Sequence, residues 1–156
     1  MTDLRIRPLG PHDAPKLALL IAENAQAVKR GAPRRPDEVY AEAMIENNQV
    51  ELLGAYDDGE LIGFAAFYDL PDLTSGLNFG QLEDIYVKPE YQGKGIGRAL
   101  IGQLDEISKK RDWENIRWMV PAKPVVDVGL TGLYERIGEP GEKTSYFINT
   151  DKLESL

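Results

Sequence analysis

Three glycines, Gly93, Gly95 and Gly97, alternate at the junction between a strand-like run and an amphipathic helical run. Glycines there let backbone N–H groups converge on an anion, and the N-terminus of the following helix adds a partial positive charge. The first helical turn carries Lys94 and Arg98 and no carboxylate, although acidic residues are usual at that place. The segment therefore predicts a strand, an anion-binding loop and a helix, with a phosphate or pyrophosphate as the ligand.

The spacing of this loop excludes two common phosphate-binding motifs. A Walker A loop requires G-x-x-x-x-G-K-[ST], and the chain contains no Gly-Lys-Ser or Gly-Lys-Thr. The dinucleotide fingerprint requires G-x-G-x-x-G and an acidic residue about 20 positions later. Here the spacing is G-x-G-x-G, and the next strand ends Met119-Val120-Pro121 without an acid. A tight turn alone rarely needs three glycines, so an anion site is the favoured interpretation.

Composition narrows the remaining chemistry. The chain of 156 residues has the length of one domain, so residues 1–156 are predicted to form a single domain. It contains no cysteine, which excludes disulfides, thiolate zinc sites and a cysteine nucleophile. Its single histidine is His12, and we expect no metal. A net charge of −8 argues against a nucleic-acid partner. Without a signal-peptide pattern or a membrane-length apolar run, we expect a cytoplasmic protein with no membrane partner.

Hydrophobic periodicity predicts the element order β-α-α-β-β-β-α-β-α-β. This order indicates a mixed α/β (α+β) domain, in which helices flank a central mixed sheet that is largely antiparallel. The Asp-Asp-Gly-Glu run at 57–60 predicts a hairpin turn, and the Pro, Gly and Ser content of 70–80 predicts a loop. The predicted helices cover 11–28, 37–47, 97–110 and 126–137, and the predicted later strands cover 50–56, 61–68, 81–88, 115–120 and 143–149.

The loop sequence resembles the [Q/R]-x-x-G-x-[G/A] signature of the GNAT acetyltransferase superfamily. Its place after a strand ending Tyr-Val-x-Pro and before an amphipathic helix is also the family's, as is the order of elements. The resemblance implies acetyl-CoA as cosubstrate, with the pyrophosphate held by the backbone of Gln92, Gly93, Lys94, Gly95, Ile96, Gly97 and Arg98. It also implies that the pantetheine arm pairs, like an added strand, with the backbone of Ile85, Tyr86 and Val87.

The strand Leu-Glu-Asp-Ile-Tyr-Val at 82–87 is similar to that of the diamine (spermidine/spermine) acetyltransferases. An amine with a pKa near 10 must lose a proton before it attacks a thioester, and Glu83 is the candidate base. Simple alternation places Glu83 beside Ile85 and Val87 on an apolar face, where its pKa is expected to rise. Asp84 would face the other side, either to bind a second ammonium group of the substrate or to join a structural network.

Two further candidates follow from the resemblance near the C-terminus. Tyr134, in a Leu-Tyr-Glu-Arg run, matches the tyrosine that reaches the CoA sulfur and would act as the general acid, although its helical spacing also fits a core aromatic. Asp127 stands where many relatives carry an asparagine that bonds the pantetheine, and an aspartate can accept but not donate. Because no cysteine is present, we expect direct attack in a ternary complex.

These features predict an acetyl-CoA-dependent N-acetyltransferase that acts on a primary amine of a small molecule, polyamine-like or another amine metabolite. We also expect a homodimer. Two alternatives stay open at this point. The acceptor could be a protein lysine or N-terminal amine, since the same loop would serve, or the chain could be a non-catalytic module that binds acetyl-CoA.

Overall fold

The computed structural model describes residues 3–28, 36–120, 133 and 136–146. Over these residues one sheet has the strand order β1-β2-β3-β4-β5, in which β1 to β4 run antiparallel and β5 lies parallel to β4. The predicted mixed, largely antiparallel sheet is confirmed. The strands are β1 (Leu4–Pro8), β2 (Val50–Asp57), β3 (Glu60–Asp72), β4 (Leu77–Val87) and β5 (Ile116–Trp118).

The helices of the continuous described ranges 3–28 and 36–120 are α1 (Ala14–Val28), α2 (Glu38–Glu46) and α3 (Ile96–Arg111). Short 3-10 turns at Pro11–Asp13 and Pro89–Tyr91 precede α1 and α3. The Asp37 side chain caps α2 by accepting a hydrogen bond of 2.9 Å from the Tyr40 backbone N–H. None of the described helices has the length and apolar character needed to cross a membrane.

Local chemistry explains why the β2–β3 hairpin forms where it was predicted. Asp58 and Gly59 both adopt positive φ, at 48° and 82°, which is the conformation of a type I′ turn. Aspartate and glycine tolerate this conformation better than other residues, so the turn closes without strain.

Each face of the sheet packs against a helical layer. On one side, α1 and α2 cover the face that carries Tyr56, Phe64 and Tyr86. On the other side, α3 covers the face that carries Phe67, Leu82, Ile85 and Val87. The side chains at the centre of these layers are almost completely buried, as burial of apolar surface requires: Leu17 and Leu20 of α1, and Leu100 and Leu104 of α3.

Two predicted segments differ in the structure. The predicted loop at 70–80 is wrong, because β3 continues to Asp72 and β4 already begins at Leu77. Hydrogen bonds hold this extended hairpin, including one of 2.8 Å from Asn78 Nδ2 to Asp69 Oδ1. The predicted strand at 143–149 is absent over 143–146, where every residue is exposed and pairs with none of the described strands. Leu133, Arg136 and Ile137 are helical as predicted, and the remaining positions of both predictions lie outside the described residues.

Candidate active site

Strands β4 and β5 pair over only three positions and then part. Their parallel register runs from Gly80 opposite Ile116 to Leu82 opposite Trp118, whereas β4 continues to Val87. Beyond Leu82, none of the described strands pairs with this edge of β4. A cavity of about 370 Å³ lies where the strands separate, lined by Gln81, Leu82, Glu83, Met119 and Val120.

Glu83 is the extra residue of a β-bulge at this point. Leu82 lies opposite Phe67 and Asp84 lies opposite Ala66, which leaves Glu83 without a cross-strand partner position. The bulge puts Leu82 on the buried face together with Ile85, and it leaves Glu83 exposed. The predicted alternation, with Glu83 on the apolar face and Leu82 opposite, is therefore wrong, because a bulge shifts the two-residue period by one position.

The ladder between β3 and β4 decides which backbone groups of β4 point away from β3. The Lys88 N–H donates a hydrogen bond of 2.9 Å to the Ile62 carbonyl. Backbone groups alternate in direction along an antiparallel ladder, so the N–H and C=O of Tyr86, two positions earlier, also point toward β3. The backbone groups of Ile85 and Val87 then point to the opposite side of β4, which β5 has left. An extended ligand can hydrogen-bond there as an added strand. Of the three residues predicted to pair with the pantetheine arm, Ile85 and Val87 direct their backbone groups to this edge. Tyr86 directs its backbone groups toward Phe64 of β3 instead.

The glycine loop follows directly and ends at the N-terminus of α3. Gly93 and Gly95 have φ values of 76° and 82°, and apart from the adjacent residues no described atom lies within 4 Å of where a Cβ would be on either. The first N–H groups of a helix have no partner within it, and those of α3 begin here. Ile96, only 1% exposed, anchors the loop in the core. This is a cradle of backbone N–H groups open to an anion.

A second cavity, of about 210 Å³, lies over this cradle. Its lining includes the predicted loop residues Gln92, Gly93, Gly95, Ile96, Gly97 and Arg98. Lys94 is exposed, and its Nζ lies 5.4 Å from the centre of the Tyr91 ring. Arg136 also lines the cavity, and sequence reasoning missed it. The sequence contained one indication of it, because Arg136 is a basic residue two positions after Tyr134 on the predicted last helix.

The other side of β4 meets α1. Asp84 is exposed, and it accepts a hydrogen bond of 3.5 Å from Asn24 Nδ2. The Tyr86 hydroxyl donates to Glu23 Oε2 at 2.9 Å. Burial and this hydrogen bond to Glu23 raise the pKa of Tyr86 above its ordinary value. Sequence reasoning did not connect α1 with the Glu-Asp pair of β4, because more than 50 residues separate Asn24 from Asp84.

The described residues thus bring together the loop at 92–98, the open edge of β4 and the carboxylates of Glu83 and Asp84. Tyr134 and Asp127 lie outside the described residues. The arrangement can bind an anionic group at the N-terminus of α3, an extended arm along β4 and a cation beside the bulge. These are the three requirements of a group transfer between a phosphorylated carrier and an amine.

Comparison with known proteins bears on this geometry. The crystal structure of a ribosomal-protein-alanine N-acetyltransferase from Brucella melitensis biovar Abortus 2308 superposes with a TM-score of 0.82 at 40% identity, over 94% of this chain and 98% of that one. A thialysine N-epsilon-acetyltransferase of Sus scrofa is 37% identical over 60 residues, which are 38% of this chain and 35% of that protein. A spermidine N(1)-acetyltransferase of Thermoplasma acidophilum is 37% identical over 65 residues, or 42% of this chain and 37% of that protein.

The chain thus spans little more than a third of the length of the thialysine and spermidine enzymes. The match to the family as a whole is longer, because residues 18–138 match the family described as "Acetyltransferase (GNAT) family". This range begins in α1 and contains the bulge, the glycine loop and α3. The predicted superfamily is confirmed: the chain belongs to the GNAT family of acetyltransferases.

Proposed function

We propose that this protein transfers the acetyl group of acetyl-CoA to a primary amine of a cationic small molecule, by direct attack in a ternary complex. The observation that carries the proposal is the continuity of the anion cradle at Gly93–Gly95 with the open edge of β4 at Ile85 and Val87. A ligand with a phosphate at one end and an extended amide arm matches both parts. Coenzyme A has this construction.

The cosubstrate fits the residues present. The N–H groups at the start of α3 would hold the pyrophosphate, and the absence of a side chain at Gly93 and Gly95 permits close approach. The amide groups of the pantetheine arm would pair with the backbone of Ile85 and Val87. The thioester would then lie toward the bulge at Glu83, beside the cavity where β4 and β5 part.

Acetyl transfer at the thioester requires three proton transfers: two from the acceptor nitrogen and one to the departing thiolate. The acceptor amine is protonated at neutral pH, so Glu83 removes a proton directly or through water. The free amine attacks the carbonyl carbon of the thioester, and the carbon–sulfur bond breaks. The departing thiolate takes a proton from the Tyr134 hydroxyl, and the second proton lost by the attacking nitrogen restores the phenol through solvent. The role of Tyr134 rests on the family resemblance of its Leu-Tyr-Glu-Arg run. Holding both substrates together makes the attack effectively unimolecular.

The acceptor class is inferred from charge. Glu83 is the bulged residue and Asp84 follows it, and the Glu23 carboxylate of α1 accepts the hydrogen bond from Tyr86 on the same strand. A carboxylate stabilises a cation better than a neutral group, so a small amine with a second positive group is favoured over a monoamine. The spermidine acetyltransferase among the relatives is consistent with this class of acceptor.

A second candidate acceptor is the N-terminal amine of a protein. The observation in its favour is the 40% identity, over 94% of this chain, to a protein described as a ribosomal-protein-alanine N-acetyltransferase. The same loop and the same base would serve, and the acceptor groove alone would differ. A single domain over 1–156, a homodimer and a cytoplasmic location stay predictions.

Release of free thiol from acetyl-CoA separates these candidates. We would measure steady-state rates with putrescine, with butylamine as its monoamine analogue, and with a peptide that begins with alanine. A preference for putrescine over butylamine above twofold supports the cationic acceptor. A preference for the peptide supports the second candidate, and CoA binding without thiol release from any acceptor indicates a non-catalytic module.

Asp84→Asn tests the cationic subsite in the same assay. It should raise the KM for putrescine and leave the maximal rate less affected, because it removes ground-state binding rather than proton transfer. The matched control is Asp112→Asn, which makes the same change at an exposed residue after the end of α3. An Asp84→Asn enzyme identical to wild type on both amines would contradict the cationic subsite.

A further inference from the structure

Two consecutive side chains of α1 contact two alternate residues of β4. The Tyr86 hydroxyl donates a hydrogen bond of 2.9 Å to Glu23 Oε2, and Asn24 Nδ2 donates one of 3.5 Å to Asp84 Oδ1. The partners of these bonds are 63 and 60 positions apart along the chain, so the bonds join two distant segments. We call these four residues the α1–β4 clamp.

The bulge at Glu83 decides which residues of β4 can meet α1. Beyond the bulge, Ile85 and Val87 belong to the core on the α3 side, whereas Tyr86 belongs to the core on the α1 side. Asp84 is two positions from Tyr86, so it faces α1 as well. A bulge disrupts the ladder locally, so the direction of a carboxylate at this point depends on contacts from outside the sheet. The clamp supplies such a contact.

The two bonds of the clamp differ in burial. Tyr86 is only 4% exposed, and its ring packs against Phe64 at 6.5 Å between centroids. Burial, and then the bond to Glu23, raise the pKa of Tyr86, so its hydroxyl stays protonated and donates at neutral and moderately alkaline pH. Asn24 is half-buried and Asp84 is exposed. The Tyr86 bond thus fixes α1 on β4, and the Asn24 bond acts on a carboxylate that an acceptor in solvent can reach.

We propose that Asn24 is a positioning residue, which orients the Asp84 carboxylate to receive the second ammonium group of a diamine. The bond between Tyr86 and Glu23 holds α1, and therefore Asn24, at the distance that this requires. A carboxylate held in one direction loses less conformational freedom when it binds a cation than one that rotates freely. This inference rests on the proposed function, and it assigns part of the acceptor selectivity to a helix residue that acts through another side chain.

Asn24→Ala tests the orientation of Asp84 without weakening α1, because alanine is a better helix former than asparagine. Steady-state thiol release with putrescine and with butylamine gives the KM for each amine. Asn24→Ala should raise the KM for putrescine about three- to tenfold, since a misdirected carboxylate loses part of a charge-assisted contact. The KM for butylamine should stay within about twofold of wild type, because a monoamine has no second ammonium group. Asn48→Ala, the same change at an exposed residue between α2 and β2, is the matched control and should match wild type on both amines.

A double variant separates positioning from a merely structural role. If Asn24 acts through Asp84, Asn24→Ala should have no further effect on the KM for putrescine in an Asp84→Asn enzyme, whereas a general weakening of the fold would add to the loss. Tyr86→Phe should raise the same KM, because it releases α1 from β4. Glu23→Gln should leave it within about threefold of wild type, because the amide oxygen still accepts the bond from the Tyr86 hydroxyl.

The proposal is overturned if wild type prefers putrescine and Asn24→Ala keeps the wild-type ratio of the two KM values. It is also overturned if the effect of Asn24→Ala is as large in the Asp84→Asn enzyme as in wild type. A tenfold rise in KM for Glu23→Gln would show that Glu23 binds the cation itself, which contradicts its part in the clamp. If wild type acetylates neither amine, or does not distinguish them, the proposed acceptor class fails instead, so the two failures are distinguishable.

Discussion

The side chain of Gln92 donates a hydrogen bond of 3.0 Å from Nε2 to the backbone carbonyl of Val87. The bond joins the last residue of β4 to the first residue of the glycine loop across five positions. It fixes the distance between the open strand edge and the anion cradle. The two ends of a bound cosubstrate would depend on this distance, so we propose that Gln92 positions the loop relative to the strand edge.

Gln92→Met should therefore weaken CoA binding about two- to tenfold, because it removes one neutral hydrogen bond and keeps the length of the side chain. The control is Gln103→Met, the same change within α3 at a position away from the loop. Calorimetry with CoA gives both dissociation constants. Equal affinities for Gln92→Met and wild type would show that the loop holds its position without this bond.

Most of the described fold could be predicted from the sequence because its signals are local. The 3.6-residue period of the first helix predicted 11–28, and the structure has a 3-10 turn followed by α1 to Val28. The extension of the β3–β4 hairpin could not be predicted in the same way. Its residues have loop composition, and their strand conformation depends on pairing and on Arg117, which lies 45 positions from Asp72.

In the candidate site, too, the features encoded by adjacent residues could be predicted, and those that depend on contacts between distant segments could not. Its glycine loop is contiguous, so the spacing alone predicted it. The exposure of Glu83 could not be predicted, because a bulge is a relation between β4 and β3 rather than a property of either sequence. The positions of Arg136 and Glu23 could not be predicted either, because both depend on the folded chain. Folding places Arg136 at the cavity over the loop and Glu23 at the Tyr86 hydroxyl.

Gly95→Glu tests the anion cradle directly. The position has φ of 82°, so any side chain there is strained by about 1–2 kcal/mol, and a carboxylate would lie where the pyrophosphate is expected. We expect CoA affinity to fall at least tenfold. Gly102→Glu adds the same side chain to the exposed face of α3, where a Cβ meets no described atom within 4 Å outside the helix's own backbone, and should bind CoA normally. A folded Gly95→Glu protein with wild-type affinity would show that the phosphate binds elsewhere.

Gly80→Ala tests the packing at the junction of β4 and β5. A Cβ on Gly80 would overlap the ring of Trp113, which also packs edge-on against Phe67 at 5.9 Å between centroids. Overpacking of this kind costs about 1–3 kcal/mol or more, so the free energy of unfolding measured with urea should fall by at least 1 kcal/mol. Gly102→Ala should instead raise it by about 0.5–1 kcal/mol, because alanine is the better helix former. Stability of Gly80→Ala equal to wild type would mean that the indole has room to move.

The hairpin predicts a pH dependence of stability through Asp72. Its carboxylate accepts hydrogen bonds from Arg117 Nη2 at 2.7 Å and from the Thr74 and Ser75 N–H groups. The Arg117 bond, followed by the two backbone bonds, lowers the pKa of Asp72 from 3.8 to about 2. A lowered carboxyl pKa contributes stability that is fully present above the unfolded value and is lost as pH falls through the folded value.

Asp72→Asn should accordingly be less stable than wild type at pH 6, and the difference in melting temperature should shrink between pH 4 and pH 2. Asp112→Asn, which changes an exposed aspartate outside the hairpin, should show no such change in that window. Thermal unfolding followed by circular dichroism at four pH values is sufficient. If the difference in melting temperature between wild type and Asp72→Asn is constant from pH 6 to pH 2, the ion pair with Arg117 is not its cause.

Glu83→Gln separates proton removal from binding at the bulge. If Glu83 takes the proton of the acceptor ammonium, the variant should lose most activity at low pH, by roughly 10- to 1000-fold in kcat/KM. The loss should become smaller as the pH approaches the amine's own pKa near 10, because the free amine then needs no base. CoA affinity should be unchanged, since Glu83 is not among the residues that line the cavity over the loop, and Glu106→Gln on the exposed face of α3 is the control. The profiles of kcat/KM against pH for wild type and both variants, measured with putrescine, decide the matter. If the ratio of wild type to Glu83→Gln stays constant from pH 6 to pH 10, Glu83 affects the reaction in some way other than as the base.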